Sequence, residues 1–284
     1  MYSNTEFDIF GSEQQAPSRQ LSFERSVNLA TIVTKEGKKA FANAIGYTQL
    51  NQYESTGNII AIKASNKFNL LYAIIGTEAG EIDSTYTFSS YGTFGSANDS
   101  SIIEDSSNVY FSKLNTLSYK PFAGVLTSVT TLPPNKSYQI EYLDGYLITF
   151  SENTSTFFLS SPGNGAVWNW GAGSSFVFAN LTSEPDIIQA ITVINRRLIV
   201  FGVNVTEIWY NAGYPDFPFR RDNSVVINIG IYNKYTFAKL EDNVFFIGKT
   251  KLGALSVFVT DGGQPKEIAT SSISYYLNDI VTDW

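Results

Sequence analysis

Asp83, Asp105, Glu141, Asp186, Glu207 and Asp242 are the side chains with which this sequence could carry out acid–base chemistry, because its 284 residues include no histidine and no cysteine. That absence removes the commonest general base and metal ligand, together with thiolate nucleophiles, disulfides and cysteine zinc sites. A pair of carboxylates could still serve as the acid and base of a glycoside hydrolase. Oxygen ligation of Ca²⁺ or Mg²⁺ also stays open. Spacing in the sequence does not bring any two of the six together, and most stand in turns, where Asp binds nearby backbone amides. No P-loop, dinucleotide fingerprint or EF-hand loop occurs. The expectation is no catalytic residue, no cofactor and no metal.

Two further constellations carry weaker signals. Ser161-Pro162-Gly163-Asn164-Gly165-Ala166-Val167-Trp168 resembles the Asp-box turn of sialidase-like propellers, but Gly163 stands where that motif has its Asp. A Gly-rich turn over buried Trp168 and Trp170 is the simpler expectation. Arg196-Arg197 and Arg220-Arg221 are the paired arginines of the chain. They read as solvated turn residues; alternatively Phe217, Pro218, Phe219, Arg220 and Arg221 form an interface, since aromatic and Arg side chains are favoured anchors there.

The elements that must position these residues read as strands. Apolar bursts rich in β-branched and aromatic residues fall at 27–33, 59–63, 70–75, 109–111, 138–143, 146–150, 156–159, 197–201, 205–210, 225–229, 243–247 and 255–259, with Gly, Asn, Asp, Ser and Pro between them. Their period is two. Asp144-Gly145 joins two bursts as a tight hairpin turn, and Gly202 with Asn204 joins two more. The pattern strand, polar turn, strand at 138–159 recurs at 187–210 and 236–259. A repeat of about 50 residues suits propeller blades. Short helices are expected at 184–188 and 271–277, and a polar loop or insertion near 88–107. The fold class is all-β, a β-propeller-like arrangement of antiparallel blades spanning 25–284, preceded by an arm over 1–24.

Aromatics at 15% support the strand reading, and 43% hydrophobic residues supply a core. A net charge of −7 lacks the basic footprint of a protein that wraps nucleic acid. An acidic wall would instead let DNA slide past. No stretch has the length and apolarity of a membrane span, and the first residues do not form a signal peptide.

Arg197-Leu198-Ile199-Val200-Phe201-Gly202, then Thr206-Glu207-Ile208-Trp209-Tyr210, then Phe217-Pro218-Phe219-Arg220-Arg221 stand in an order that resembles the packaged-DNA-stabilisation, or tail accessory, proteins of short-tailed bacteriophages. Tyr142-Leu143-Asp144-Gly145-Tyr146 resembles that family's hairpin, and Arg25-Ser26-Val27-Asn28-Leu29 its N-terminal strand, although Ile45 replaces a usual proline. The resemblance covers roughly 25–50 and 138–277.

It implies a structural virion protein, the nozzle of the tail, that extends and closes the DNA exit channel, retains the packaged genome and docks tail fibres or spikes. It implies a homo-hexameric ring below the portal and adaptor proteins, with DNA passing through without sequence-specific binding and no membrane anchor. It also implies architectural roles for Asp144, Gly145, Phe201, Gly202, Glu207, Trp209 and Tyr210 and assembly in the host cytoplasm; since members of that family generally continue with further propeller strands, this chain is expected to be either a shortened relative or the first part of such a propeller. The rival reading is a propeller-type glycan-binding protein or carboxylate-dependent glycoside hydrolase; a tail-fibre adhesin is a third.

Overall fold

The computed structural model describes residues 29–33, 39–43, 58–95, 98–169, 178–181, 186–215, 217–225, 227–250 and 253–282. The chain divides into two units. The unit made of Met1–Leu50 and Ala269–Trp284 contains the antiparallel pair β1 (Leu29–Val33) and β2 (Lys39–Asn43), and the helix α1 (Ser271–Thr282). Thr270 caps that helix: its hydroxyl accepts from the Ile273 amide at 3.4 Å and its carbonyl from the Ser274 amide at 3.0 Å.

The unit Asn51–Ile268 is a series of five antiparallel sheets. Sheet I holds β3 (Ile59–Ala64), β4 (Leu71–Ile75), β5 (Glu78–Ile82) and β6 (Phe88–Thr93). Sheet II holds β7 (Ser100–Glu104), β8 (Asn108–Lys113), β9 (Thr116–Pro121) and β10 (Thr127–Ser128). Sheet III holds β11 (Glu141–Leu143), β12 (Tyr146–Phe150), β13 (Thr156–Leu159) and β14 (Phe178–Asn180). Sheet IV holds β15 (Ile188–Ile194), β16 (Arg197–Gly202), β17 (Thr206–Asn211) and β18 (Phe219–Arg221). In these four, every strand pairs with the next in sequence.

Sheet V departs from that rule. Its first strand is split into β19 (Ile229–Ile231) and β20 (Phe237–Leu240), which pair with opposite ends of β21 (Asn243–Thr250); β22 (Leu255–Thr260) and β23 (Lys266–Glu267) follow.

Successive sheets pack through their first strands. β7 lies against β3 and β4, β11 against β7, β15 against β11 and β12, and β19 against β16 and β17. The first strands therefore line the inside of the series, and the sheets stack as propeller blades. Apolar clusters fill each junction: Tyr72, Ile74, Val109 and Phe111 between I and II; Tyr110, Leu117, Leu147 and Phe158 between II and III; Phe150, Phe157, Leu198 and Trp209 between III and IV; Phe201, Val244, Phe246 and Phe258 between IV and V. Burying one such side chain contributes roughly 1.5–3 kcal/mol.

This stacking revises the period of two. Strands β4, β12 and β16 are buried at nearly every position, because a neighbouring sheet or cluster covers each face. In β16, Leu198 and Val200 point toward sheet III while Ile199 and Phe201 point toward sheet V. Alternation survives in sheet V: in β21 Val244 and Phe246 are buried and Phe245 and Ile247 half-buried, and in β22 Ser256, Phe258 and Thr260 are buried and Val257 and Val259 half-buried.

The hairpin at Asp144-Gly145 forms as expected, with φ of 49° and 90°, and Asn195-Arg196 repeats it with 47° and 58°. These are the values that a right-twisted two-residue turn demands. Within the loop expected near 88–107, residues 88–93 form β6 and 100–104 form β7. Its Ser, Gly and Asn residues fit because β6 is an outer strand with Ser89 and Ser90 in solvent, which hides the apolar pattern. Of the helix expected at 184–188, residues 184 and 185 lie outside the described residues and Ile188 opens β15; the arm over 1–24 also lies outside them.

Candidate functional site

The inner strands bring polar groups of four sheets together. Asp99 precedes β7, Tyr138 and Gln139 precede β11, Glu141 opens β11, Thr192 lies in β15, Lys239 in β20, and Lys234 and Tyr235 in the break between β19 and β20. Lys234 Nζ is 3.0 Å from Asp99 Oδ2, and the Tyr235 hydroxyl donates to the same oxygen at 2.6 Å. The Lys234 ammonium also lies 4.9 Å from the Tyr138 ring centroid and 5.0 Å from that of Tyr235, within cation–π range. Those two rings stack at 6.4 Å.

Gln139 is the hub beside them. Its Oε1 accepts the Ile191 amide at 3.0 Å, its Nε2 donates to the Lys234 carbonyl at 3.4 Å, and its carbonyl accepts the Thr149 hydroxyl at 2.9 Å. Glu141 Oε1 accepts from Lys239 Nζ at 2.8 Å and from the Thr192 hydroxyl at 3.2 Å. Of these groups, Tyr138, Gln139, Glu141, Lys234 and Tyr235 line a recess of about 270 Å³, closed by Ser101 and the apolar side chains beside them. Burial works to lower the Lys234 pKa and to raise that of Asp99. The hydrogen bonds among Lys234, Tyr235 and Asp99 outweigh it, so the lysine titrates above its ordinary value and the carboxyl below. Both remain charged across the neutral range.

A second polar junction ties sheet II to the entry of sheet III. Lys136 is fully buried, and its ammonium donates to Ser112 Oγ at 2.6 Å, the Lys113 carbonyl at 3.0 Å and the Ser137 carbonyl at 2.5 Å. Burial pushes its pKa down to about 7, against the smaller pull of the Glu152 charge.

The remaining candidate positions make local contacts. Asp83 accepts the Thr85 hydroxyl and the Thr85 and Thr87 amides, which hold its carboxyl below the usual value. Asp105 accepts the Ser107 and Asn108 amides and the Tyr110 hydroxyl at 2.7 Å. Asp186 accepts the Asn204 and Val205 amides and Asn204 Nδ2. Glu207 accepts Trp209 Nε1 at 3.0 Å and faces Arg221 Nη1 at 3.4 Å. The Asp242 carbonyl accepts Asn195 Nδ2. Among the described residues, no three carboxylates gather as a metal site, and no helix is long and apolar enough to cross a membrane.

The motif residues take architectural positions. Asp144 holds the hairpin turn and pairs with Arg196 at 2.9 Å; Gly145 accepts the Gly163 amide. Phe201 and Trp209 are core residues, and Glu207 is buried between Trp209 and Arg221, whereas Tyr210 is exposed. Gly202 serves close packing rather than turn conformation. A Cβ there would overlap the Asp186 carboxylate.

The segment 217–221, expected at an interface, makes these contacts within its own chain. Phe217, Pro218 and Phe219 are buried, with Phe217 6.0 Å from Phe157 and Phe219 5.8 Å from Tyr146, so these aromatics are spent on the junction with sheet III. Arg220 donates to the Phe217 and Phe219 carbonyls and lies over exposed Tyr214, and Arg221 turns inward to Glu207. Of the two tryptophans expected under the Ser161–Trp168 turn, Trp168 is buried and donates to the Gly165 carbonyl, and Trp170 lies outside the described residues. Sequence reasoning missed Asp99, Tyr138, Gln139, Lys136 and Lys234, which no local motif marks.

A stack of sequential antiparallel sheets, knit by apolar junctions and polar ties, defines a β-propeller-type fold. Solved structures agree on the fold. An extracellular domain of the hybrid two-component system BT4673 from B. thetaiotaomicron is similar at TM-score 0.51 and 14% identity, covering 89% of this chain and 34% of that one. A chain of the mitotic checkpoint complex is similar at 0.50 and 9%, covering 85% and 73%. The N-terminal domain of Nup159 scores 0.46 at 9% identity; this chain covers 60% of it, and 73% of this chain is matched. No curated protein matches by sequence. The family described as bacteriophage P22 Gp10, β-propeller, matches residues 26–283, and the chain belongs to it. It is thus a phage structural, tail accessory protein, and the family implies a virion component.

Proposed function

We propose that this protein is a subunit of the phage tail nozzle, which extends and closes the DNA exit channel and retains the packaged genome, and that it acts without catalysis. The carrying observation is the membership of residues 26–283 in the P22 Gp10 propeller family. The inner-strand geometry adds a constraint. The recess of about 270 Å³ lined by Glu141, Lys234 and Tyr235 is at the small end for a small-molecule site. A duplex does not thread it. The channel of the nozzle therefore lies between subunits of a closed ring, a hexamer on the family resemblance, and the net charge of −7 suits a wall that DNA slides along.

Portal or adaptor proteins and tail fibres or spikes are the proposed neighbours in the virion tail, and assembly takes place in the host cytoplasm. Electron microscopy of purified virions tests this reading. A ring of this protein coaxial with the DNA channel is expected; a peripheral spike, or its absence from the tail, would refute it.

A further inference from the structure

We infer that the segment between β19 and β20, residues 232–236, is a releasable strut that fastens sheet V to sheets II and III and can detach while the sheets themselves stay intact. This goes beyond the nozzle reading and does not depend on it.

The segment is built as a separate module. Both of its ends hang from one residue of β21: the Tyr232 amide donates to the Ile247 carbonyl at 2.9 Å, and the Ile247 amide to the Thr236 carbonyl at 2.9 Å. Inside that loop, Asn233 and Thr236 satisfy one another. The Thr236 hydroxyl donates to the Asn233 carbonyl at 2.7 Å, the Asn233 amide to Thr236 Oγ1 at 3.2 Å, and the Tyr235 amide to Asn233 Oδ1 at 3.1 Å. The loop thus keeps its shape without help from other sheets.

Its tip makes every longer-range contact. Lys234 and Tyr235 hold Asp99 of the sheet II entry, the Lys234 carbonyl takes Gln139 Nε2, and Tyr235 stacks on Tyr138. Lys239, three residues beyond the loop, adds the pair to Glu141.

The chemistry of these contacts differs from that of the junctions between neighbouring sheets. Those junctions are filled mainly by buried apolar side chains. The strut is polar and wet: the Lys234 and Asp99 side chains are 28% and 31% exposed, and Tyr235 is 59% exposed. Ion pairs so exposed are weak and screened by salt, whereas buried apolar contacts are not. Loss of charge at one end releases the strut without removing any core side chain. Detachment uncovers the Tyr138, Gln139 and Ser101 surface of the recess.

Hydrogen exchange read by mass spectrometry on the full chain tests this. In Asp99→Asn, in Lys234→Met, and in the unaltered protein moved from low to 1 M salt, peptides covering 229–241 should exchange about two- to tenfold faster. Peptides of β12 and β16 should stay unchanged. The charge swap Asp99→Lys with Lys234→Asp should restore most of the protection, which a merely steric role of either residue would not do. Unchanged exchange at 229–241 in high salt overturns the inference, as does acceleration spread evenly over all sheets or a swap no better protected than the single variants.

Discussion

The carboxylate of Asp186 sits directly over the Cα of Gly202, so close that a Cβ on Gly202 would overlap Oδ2. The same oxygen accepts the Asn204 amide at 2.7 Å and the Val205 amide at 3.0 Å, so Asp186 organises the turn from β16 to β17. Gly202→Ala should displace the carboxylate and cost about 2–4 kcal/mol, through overpacking plus lost charge-assisted hydrogen bonds. Asp186→Ala should cost a similar amount, and the double variant less than the sum. Urea unfolding followed by tryptophan fluorescence measures all three.

Lys136 should give the protein an alkaline rise in stability. Its folded pKa, about 7, lies below the ordinary 10.5, so between these values the unfolded chain binds more protons than the folded one. Stability therefore climbs as pH rises from about 7 toward about 10, at no more than about 1.4 kcal/mol per unit, and is flat in this respect below pH 7. Lys136→Met should flatten that climb. The check is a series of urea midpoints from pH 6 to pH 10 for both proteins.

Arg221→Ala takes the guanidinium away from Glu207, a carboxylate only 2% exposed. Because Arg221 itself is partly in solvent, the expected cost is about 1–3 kcal/mol rather than the larger figure for a fully buried pair. Glu207→Gln, which keeps an acceptor for Trp209 Nε1, should cost less than Glu207→Ala. Thermal unfolding at fixed pH ranks the three variants.

Phe157 and Trp209 meet edge to face at 5.1 Å across the junction of sheets III and IV. Phe157→Ala should cost about 3–5 kcal/mol. A double-mutant cycle with Trp209→Ala should yield a coupling of about 0.5–1.5 kcal/mol beyond area burial. Coupling near zero would mean the two rings act only as independent filler.

Much of the strand framework was legible in the sequence, because burial between stacked sheets demands runs such as Leu198–Phe201 and Leu147–Phe150, and the hairpin geometry demands Asp144-Gly145. What stayed hidden has physical reasons. Outer strand β6 shows Ser89 and Ser90 to solvent and so mimics a loop. Phe217 and Phe219 sit beside two arginines, which imitates an interface, yet the turn folds them inward. The axial cluster was illegible because Lys234 and Asp99 are 135 positions apart and each lies in a polar gap between apolar bursts. Only the approach of sheet V to sheet II in the folded chain brings them together.

The strand order carries a consequence for how the protein is made. In sheets I to IV each strand pairs with the one just before it, so every sheet has its own partners as soon as it is synthesised, and such local pairing favours rapid folding. The Asp99–Lys234 and Glu141–Lys239 ties span 135 and 98 positions. Neither can be complete until translation has passed residue 239, whereas the pairings within sheets I to IV need only residues already made.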